Sequence, residues 1–204
     1  MRVLVACEFS GIVRDAFTAY GHEAWSVDLL PSELPGLHVQ ADIIDFLRRP
    51  WTPGHWDLMI AFPPCTYLAR SGAQWWPGKQ AEQLAALEFV RELAQANIPK
   101  IAIENPIGKL SSAWRKPDQI IQPWMFGHGQ VKATCLWLYG LPALKPTLVV
   151  EGRKPTVHMA PDSKDRWKKR SRTLMGLAYA MAEQWGGCVK CHSSHTHNAT
   201  RCGS

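Results

Sequence analysis

The sequence predicts an α/β fold with a mainly parallel sheet and helices on both faces. Three observations carry that prediction. Near-continuous apolar runs such as "RVLVAC", "DLMIAF" and "KIAIEN" read as strands buried on both sides. Stretches of helical period alternate with them, "GKQAEQLAALEFVRELAQAN" being the clearest. Most of these runs end in a turn or acidic residue, which marks one edge of the sheet as a place for chemistry.

The elements follow in order. "RVLVAC" is the first strand, and "GIVRDAFTAYG" is a helix with Val13, Ala16, Phe17 and Tyr20 on one face and Gly21 as its stop. "HEAWSVD" is the second strand, ending in Asp28, and "HVQADIIDFLRR" gives a short strand, a turn and a helix start. "DLMIAF" is the next strand, the long helix comes after it, and "KIAIEN" and "KATCLWLYG" are strands again. "RSRTLMGLAYAMAEQWG" is the closing helix, stopped by Gly186 and Gly187. The Pro-rich segment 141–165 is the least regular part and reads as a loop or hairpin. Domain organisation is one catalytic unit, 1–186, followed by a Cys/His-rich tail, 187–204.

Bulk properties narrow the class. The 204 residues carry 46% hydrophobic and 20% charged side chains, as an ordinary globular chain does. No run approaches the ~20 apolar residues needed to span a bilayer, and the short apolar N-terminus reads as a buried strand, so the expectation is a cytoplasmic protein without membrane contact. Its cysteines are then expected as thiols or metal ligands. The net charge of +6 is concentrated in "KDRWKKRSR", 164–172. A solvated loop is the plain reading of that strip; a phosphate-contacting surface is the functional one, because Lys168, Lys169 and Arg170 flank Trp167.

Ligands of such sheets sit beyond the carboxyl ends of the strands. Gly11, in "CEFSGIVRD", lies at the first strand-to-helix turn, where backbone approaches a ligand or simply turns tightly. Asp28 ends the second strand and suits a ribose diol, and Asp42 with Ile43 suits an adenine edge and ring. Together they describe a nucleoside-bearing cofactor, and the absence of GxGxxG or a Walker lysine argues against a dinucleotide or ATP. Pro63 and Pro64 then fix the backbone ahead of Cys65, and Glu104 ends the next strand. A buried, inert cysteine is the alternative to a nucleophile. With Glu104 as proton carrier, Cys65 forms a two-residue catalytic unit on neighbouring strand ends.

These residues resemble the motifs of the cytosine-5 DNA methyltransferase family: "FSG" after the first strand, Asp28, Asp42, "FPPC" and "IENP", in that order. "GQVKAT" is similar to the family's Gln-x-Arg-x-Arg strand, and "GLAYAMA" to its closing helix. The resemblance covers roughly residues 3–185, and "WMFGHG" with "TCLWLYGLPALKPT" is similar to compact phage-type members. It implies a Rossmann-like class I fold and S-adenosylmethionine held by Phe9, Ser10, Gly11, Asp28, Asp42, Ile43 and Pro63. It further implies Cys65 adding to carbon 6 of cytosine, Glu104 acting at ring nitrogen 3, and Lys132 or Arg70 supplying positive charge. Pro64, Thr66, Arg70, Asn105 and Gln130 would line the substrate site, with Lys168, Lys169 and Arg170 on phosphates. A thiol pKa below the free value of ~8.5 is expected for such a nucleophile.

The chain departs from the family pattern in four places. Thr66 stands where Gln follows the cysteine, Pro106 where Val follows Glu-Asn, and Lys132 and Thr134 where the strand has arginines. Only residues 135–170 occupy the place of a target-recognition region. The substrate is therefore single-stranded DNA, duplex DNA read with relaxed specificity, or a free cytidine nucleotide, with a partner subunit as one source of recognition. A non-catalytic nucleic-acid-binding protein on a degenerate version of the fold is the reading from another class. In the tail, Cys188, Cys191, His195 and Cys202 make a structural zinc set, or the tail is disordered.

Overall fold

A computed structural model describes residues 1–49, 55–153 and 166–187. Seven strands form one sheet: β1 (Arg2–Ala6), β2 (Glu23–Asp28), β3 (His38–Gln40), β4 (Leu58–Ala61), β5 (Ile101–Pro106), β6 (Gln119–Ile121) and β7 (Thr134–Tyr139). Their order is β3-β2-β1-β4-β5-β7-β6. Strands β1 to β5 pair in parallel, while β7 runs antiparallel to both β5 and β6. The chain leaves β1 toward one edge and returns at β4 to build the other, so the sheet reverses between β1 and β4. This is the Rossmann-like, mainly parallel architecture that the sequence predicts.

Alternation along each strand builds two cores. Val3 and Val5 face α1 (Ile12–Ala19) and α6 (Met175–Met181), packing with Phe17, Ala178, Met181 and Trp185. Leu4 and Ala6 face α2 (Ile43–Arg48), α3 (Gln80–Ala94) and the short α4 (Leu110–Ala113), packing with Phe46, Leu87, Val90, Leu93 and Leu110. Both faces being covered explains why β1 and β4 read as unbroken apolar runs.

The first strand-to-helix turn is built around Gly11 and a buried guanidinium. Gly11 has φ +76, and a Cβ there would lie 2.6 Å from Arg14 Nη2. Arg14 is 1% exposed and donates to Ser26 Oγ, Ser32 Oγ and the carbonyls of Leu34 and Pro35, which clasps the 29–37 loop to α1. The plain tight-turn reading of Gly11 thus has a full structural explanation. Glu8 does the capping from inside, accepting from the amides of Val13 and Arg14 and from Ser10 Oγ.

Three elements depart from the sequence reading. Strand β6 and helix α4 went unpredicted, both being too short to establish a period. The described part of the basic strip is a helix, α5 (Arg166–Ser171), rather than a loop. The tail residues Cys188, Cys191, His195 and Cys202 lie outside the described residues, as does the side chain of Lys169.

Candidate active site

The reversal of β7 organises the site. Because β7 is antiparallel, its start lies level with the end of β5, Thr134 opposite Pro106. Lys132 and Thr134 therefore reach the same sheet edge as Glu104 and the chain leaving β4. A parallel strand in that position would have delivered them to the opposite edge.

Cys65 stands four residues beyond β4. Pro63 is buried and its carbonyl accepts from Asn105 Nδ2 at 2.9 Å. The Cys65 carbonyl accepts from the amides of Leu68 (3.0 Å) and Ala69 (2.8 Å), closing the loop on itself. The loop is then stitched to the chain after β5: Arg70 N donates to Ile107 O, Lys109 N donates to Leu68 O, and Ala69 bridges Gly108. Gly108 is obligatory for that approach, since a Cβ would fall 1.9 Å from Leu68 O. The loop that carries the thiol and the strand that carries Glu104 are thus one mechanical unit.

Charges converge on the sulfur. Burial pushes the Cys65 thiol up, the Glu104 carboxylate pushes it further, and Lys132 and Arg170 pull it down. The net direction is upward, which corrects the expectation of a lowered thiol pKa: cations are present, but desolvation and a neighbouring carboxylate outweigh them. Glu104 is itself raised, by burial, against the pull of Lys132 and a side-chain hydrogen bond with Thr134. Each group resists ionisation while the other is charged, so the pair carries one negative charge more readily than two. Thr134 Oγ1 also lies 3.2 Å from Lys132 O, so its single proton serves either that carbonyl or Glu104.

Beside this pair opens a cleft of about 220 Å³, lined by residues including Cys7, Val27, Asp28, Leu29, Asp42, Ile43, Pro64 and Phe89. Four of its walls, Asp28, Asp42, Ile43 and Pro64, are residues singled out in the sequence. Asp28 accepts from Leu30 N at 2.9 Å, and burial raises its pKa. Asp42 caps α2, accepting from Ile44 N at 2.8 Å and Asp45 N at 3.2 Å. Cys7 is the one non-glycine residue among those described with positive φ, 58°, and its amide donates to Val27 O. Its identity as the strand-ending residue that bends the chain under the cleft carries no signal in the sequence. Phe89, from the middle of α3, was likewise hidden by a helix pattern that reads simply as core.

Helix α5 crosses the same edge. Lys132 Nζ donates to Arg170 O at 3.1 Å, and Arg172 forms a two-pronged pair with Glu33, 2.7 and 2.8 Å. The Trp167 ring lies 6.1 Å from that of Phe9. Phe9, Ser10 and Gly11 form the turn next to the cleft, Ser10 being buried and bonded to Glu8. Thr66 and Arg70 are exposed on the Cys65 loop, and Gln130 is half-buried with its amide donating to His128 O. Arg170 and Lys132, not Arg70, are the cations whose charge acts on Cys65. Among the described residues there is no group of three or more His, Cys, Asp or Glu side chains able to hold a metal, and no helix long and apolar enough to cross a membrane.

No family model matches the chain, and no curated protein matches it. Among solved structures it is similar to a prophage-encoded E. coli protein described as a candidate DNA modification methyltransferase, at 15% identity and a TM-score of 0.47. The match covers 74% of this chain and 52% of that one, so the chain spans about half that protein's length. The fold class here rests on the strand order and direction of the sheet itself.

Proposed function

We propose that this chain is an S-adenosylmethionine-dependent methyltransferase. Taken one step further, it methylates carbon 5 of cytosine in DNA through a covalent bond to Cys65. The observation that carries this reading is the meeting of Cys65, Glu104 and Lys132 at one sheet edge, beside a cleft walled by Asp28, Asp42 and Ile43.

The cleft fits the nucleoside half of that cofactor in its chemistry. Val27, Leu29, Ile43 and Phe89 offer apolar walls for a purine, and the two aspartates offer acceptors for a ribose diol and an exocyclic amine. When bound there, the cofactor supplies an electrophilic methyl group. The chain's own residues make a nucleophile to receive it. Cys65 Sγ bonds to carbon 6, the electron pair of the 5,6 double bond shifts through the ring, and Glu104 gives its proton to ring nitrogen 3. A raised carboxyl is suited to that donation, since it holds a proton where an ordinary Glu would not. Once carbon 5 has bonded to the methyl group, it gives its own proton to solvent water, the pair left behind re-forms the 5,6 double bond as the sulfur–carbon bond breaks to thiolate, and the nitrogen 3 proton returns to Glu104. Lys132 favours the thiolate at the start and at the release. Asn105 contributes a buried Oδ1 with no partner among the described residues, an acceptor that supports a polar ligand at this edge.

The test is an oligonucleotide bearing 5-fluorocytosine, incubated with the methyl donor. Fluorine cannot leave as a cation, so the adduct is trapped, and mass spectrometry of the Cys65 peptide should find it. Cys65→Ser should bind donor and form none. Absence of any adduct on that sulfur overturns the cytosine-5 mechanism.

A further inference from the structure

Helix α5 carries a large aromatic side chain in an unusual place. Trp167 is 52% exposed, yet one edge of its ring rests on the buried Phe9 of the cofactor-side turn. The Lys168 ammonium lies 5.7 Å from its centroid. Two ties fix the helix that bears it, Phe9 to Trp167 and Lys132 to the Arg170 carbonyl, and a third, Glu33 to Arg172, holds the residue that follows it. An exposed tryptophan on a helix anchored in this way has a fixed position relative to Cys65.

That position can be placed on the scale of a nucleotide. Trp167 and Arg170 are three residues apart, about 4.5 Å along the helix axis, and the Arg170 carbonyl accepts from Lys132 Nζ at 3.1 Å. Successive bases of one strand are spaced by about 3.4 Å when stacked and by more when splayed. A base stacked on Trp167 would be held by the helix that also holds Lys132, at the sheet edge that carries Cys65. Inside an intact duplex both faces of a base are covered by adjacent base pairs, and baring one means extruding its neighbour at a cost of a few kcal/mol. In a single strand the face is bare, and base–aromatic stacking is tolerant of sequence.

We propose that Trp167 is a stacking platform for the nucleotide flanking the target in a single-stranded polynucleotide, with Lys168 and Arg170 taking its phosphates. This rests on the methyltransferase reading for its target base, though the stacking itself is measurable without any methyl transfer. Its support is the exposed ring, the adjacent cations and the anchoring of one short helix, and of the residue after it, against the Cys65 edge.

The experiment measures binding of the full chain to a fluorescein-labelled ten-nucleotide DNA containing one cytosine, by anisotropy at fixed salt. Three probes are compared: the single strand, its duplex, and a single strand with an abasic site beside the cytosine. The single strand should bind about tenfold tighter than the duplex, and Trp167→Ala should remove about tenfold of that affinity while Trp167→Phe restores most of it. The abasic site should cost the native chain a similar factor and cost Trp167→Ala nothing, because the lost partner is the same. A merely structural tryptophan would leave the abasic penalty intact in the variant, and that result overturns the proposal, as does tighter binding of the duplex. Single-strand binding that depends on Trp167, without the 5-fluorocytosine adduct, would refute the reaction and leave the platform standing.

Discussion

Lys132 Nζ donates to the backbone carbonyl of Arg170 at 3.1 Å, so the ammonium that acts on Cys65 is held by helix α5. Removing it should be felt at the sulfur. In Lys132→Ala the thiol pKa rises further, and the rate of iodoacetamide alkylation of Cys65 moves to higher pH. Methyl transfer should fall about a hundredfold, the scale for losing one preorganised charge. Lys132→Arg keeps the charge and should leave the alkylation profile near native.

Glu104→Gln should move the same profile in the opposite direction. In the native chain both burial and the Glu104 carboxylate raise the Cys65 thiol, so its alkylation profile should lie on the alkaline side of an ordinary thiol's. An amide of equal size removes the anion, thiolate becomes easier to form, and alkylation extends to lower pH. Methyl transfer nevertheless falls by about 10²- to 10⁴-fold, because the proton for ring nitrogen 3 is gone. A faster thiol in a slower enzyme is the signature to look for.

Gly108→Ala separates mechanical from chemical roles. The added methyl falls 1.9 Å from Leu68 O, so the Cys65 loop and the β5 exit must part. The expected cost is about 1–3 kcal/mol of stability, read as a fall of several degrees in Tm. Donor binding should survive at temperatures where the variant is folded, while 5-fluorocytosine trapping slows.

Asp42 has two roles that substitution can divide. Asp42→Ala should lose about 1 kcal/mol through the missing α2 cap and also weaken donor binding. Asp42→Ser rebuilds the cap and recovers the Tm. If donor affinity, measured by calorimetry, recovers with it, Asp42 is a helix cap and not a cofactor residue.

Much of this was legible in the sequence, for particular reasons. The apolar runs at 2–7, 57–62 and 100–105 read as buried strands, and the ends of the last two point to Cys65 and Glu104, as the end of "HEAWSVD" points to Asp28. The contact between Lys132 and α5 was not legible, because it joins segments 38 residues apart. Nor was the raised thiol: sequence supplies the cations, but burial and the approach of Glu104 are three-dimensional facts. The basic strip shows its charge plainly and hides its helix, since lysine and arginine are equally at home in a solvated loop. Cys7 is the clearest omission, a left-handed bend where only strand character can be read.

The inverted direction of β7 has an engineering consequence. The loop 122–133 between β6 and β7 enters the sheet at the edge that carries Glu104, so residues inserted there would extend over the candidate site and lie outside the strand ladders. Under the proposed function, lengthening that one connection changes which substrates fit and leaves Cys65 and Glu104 in place.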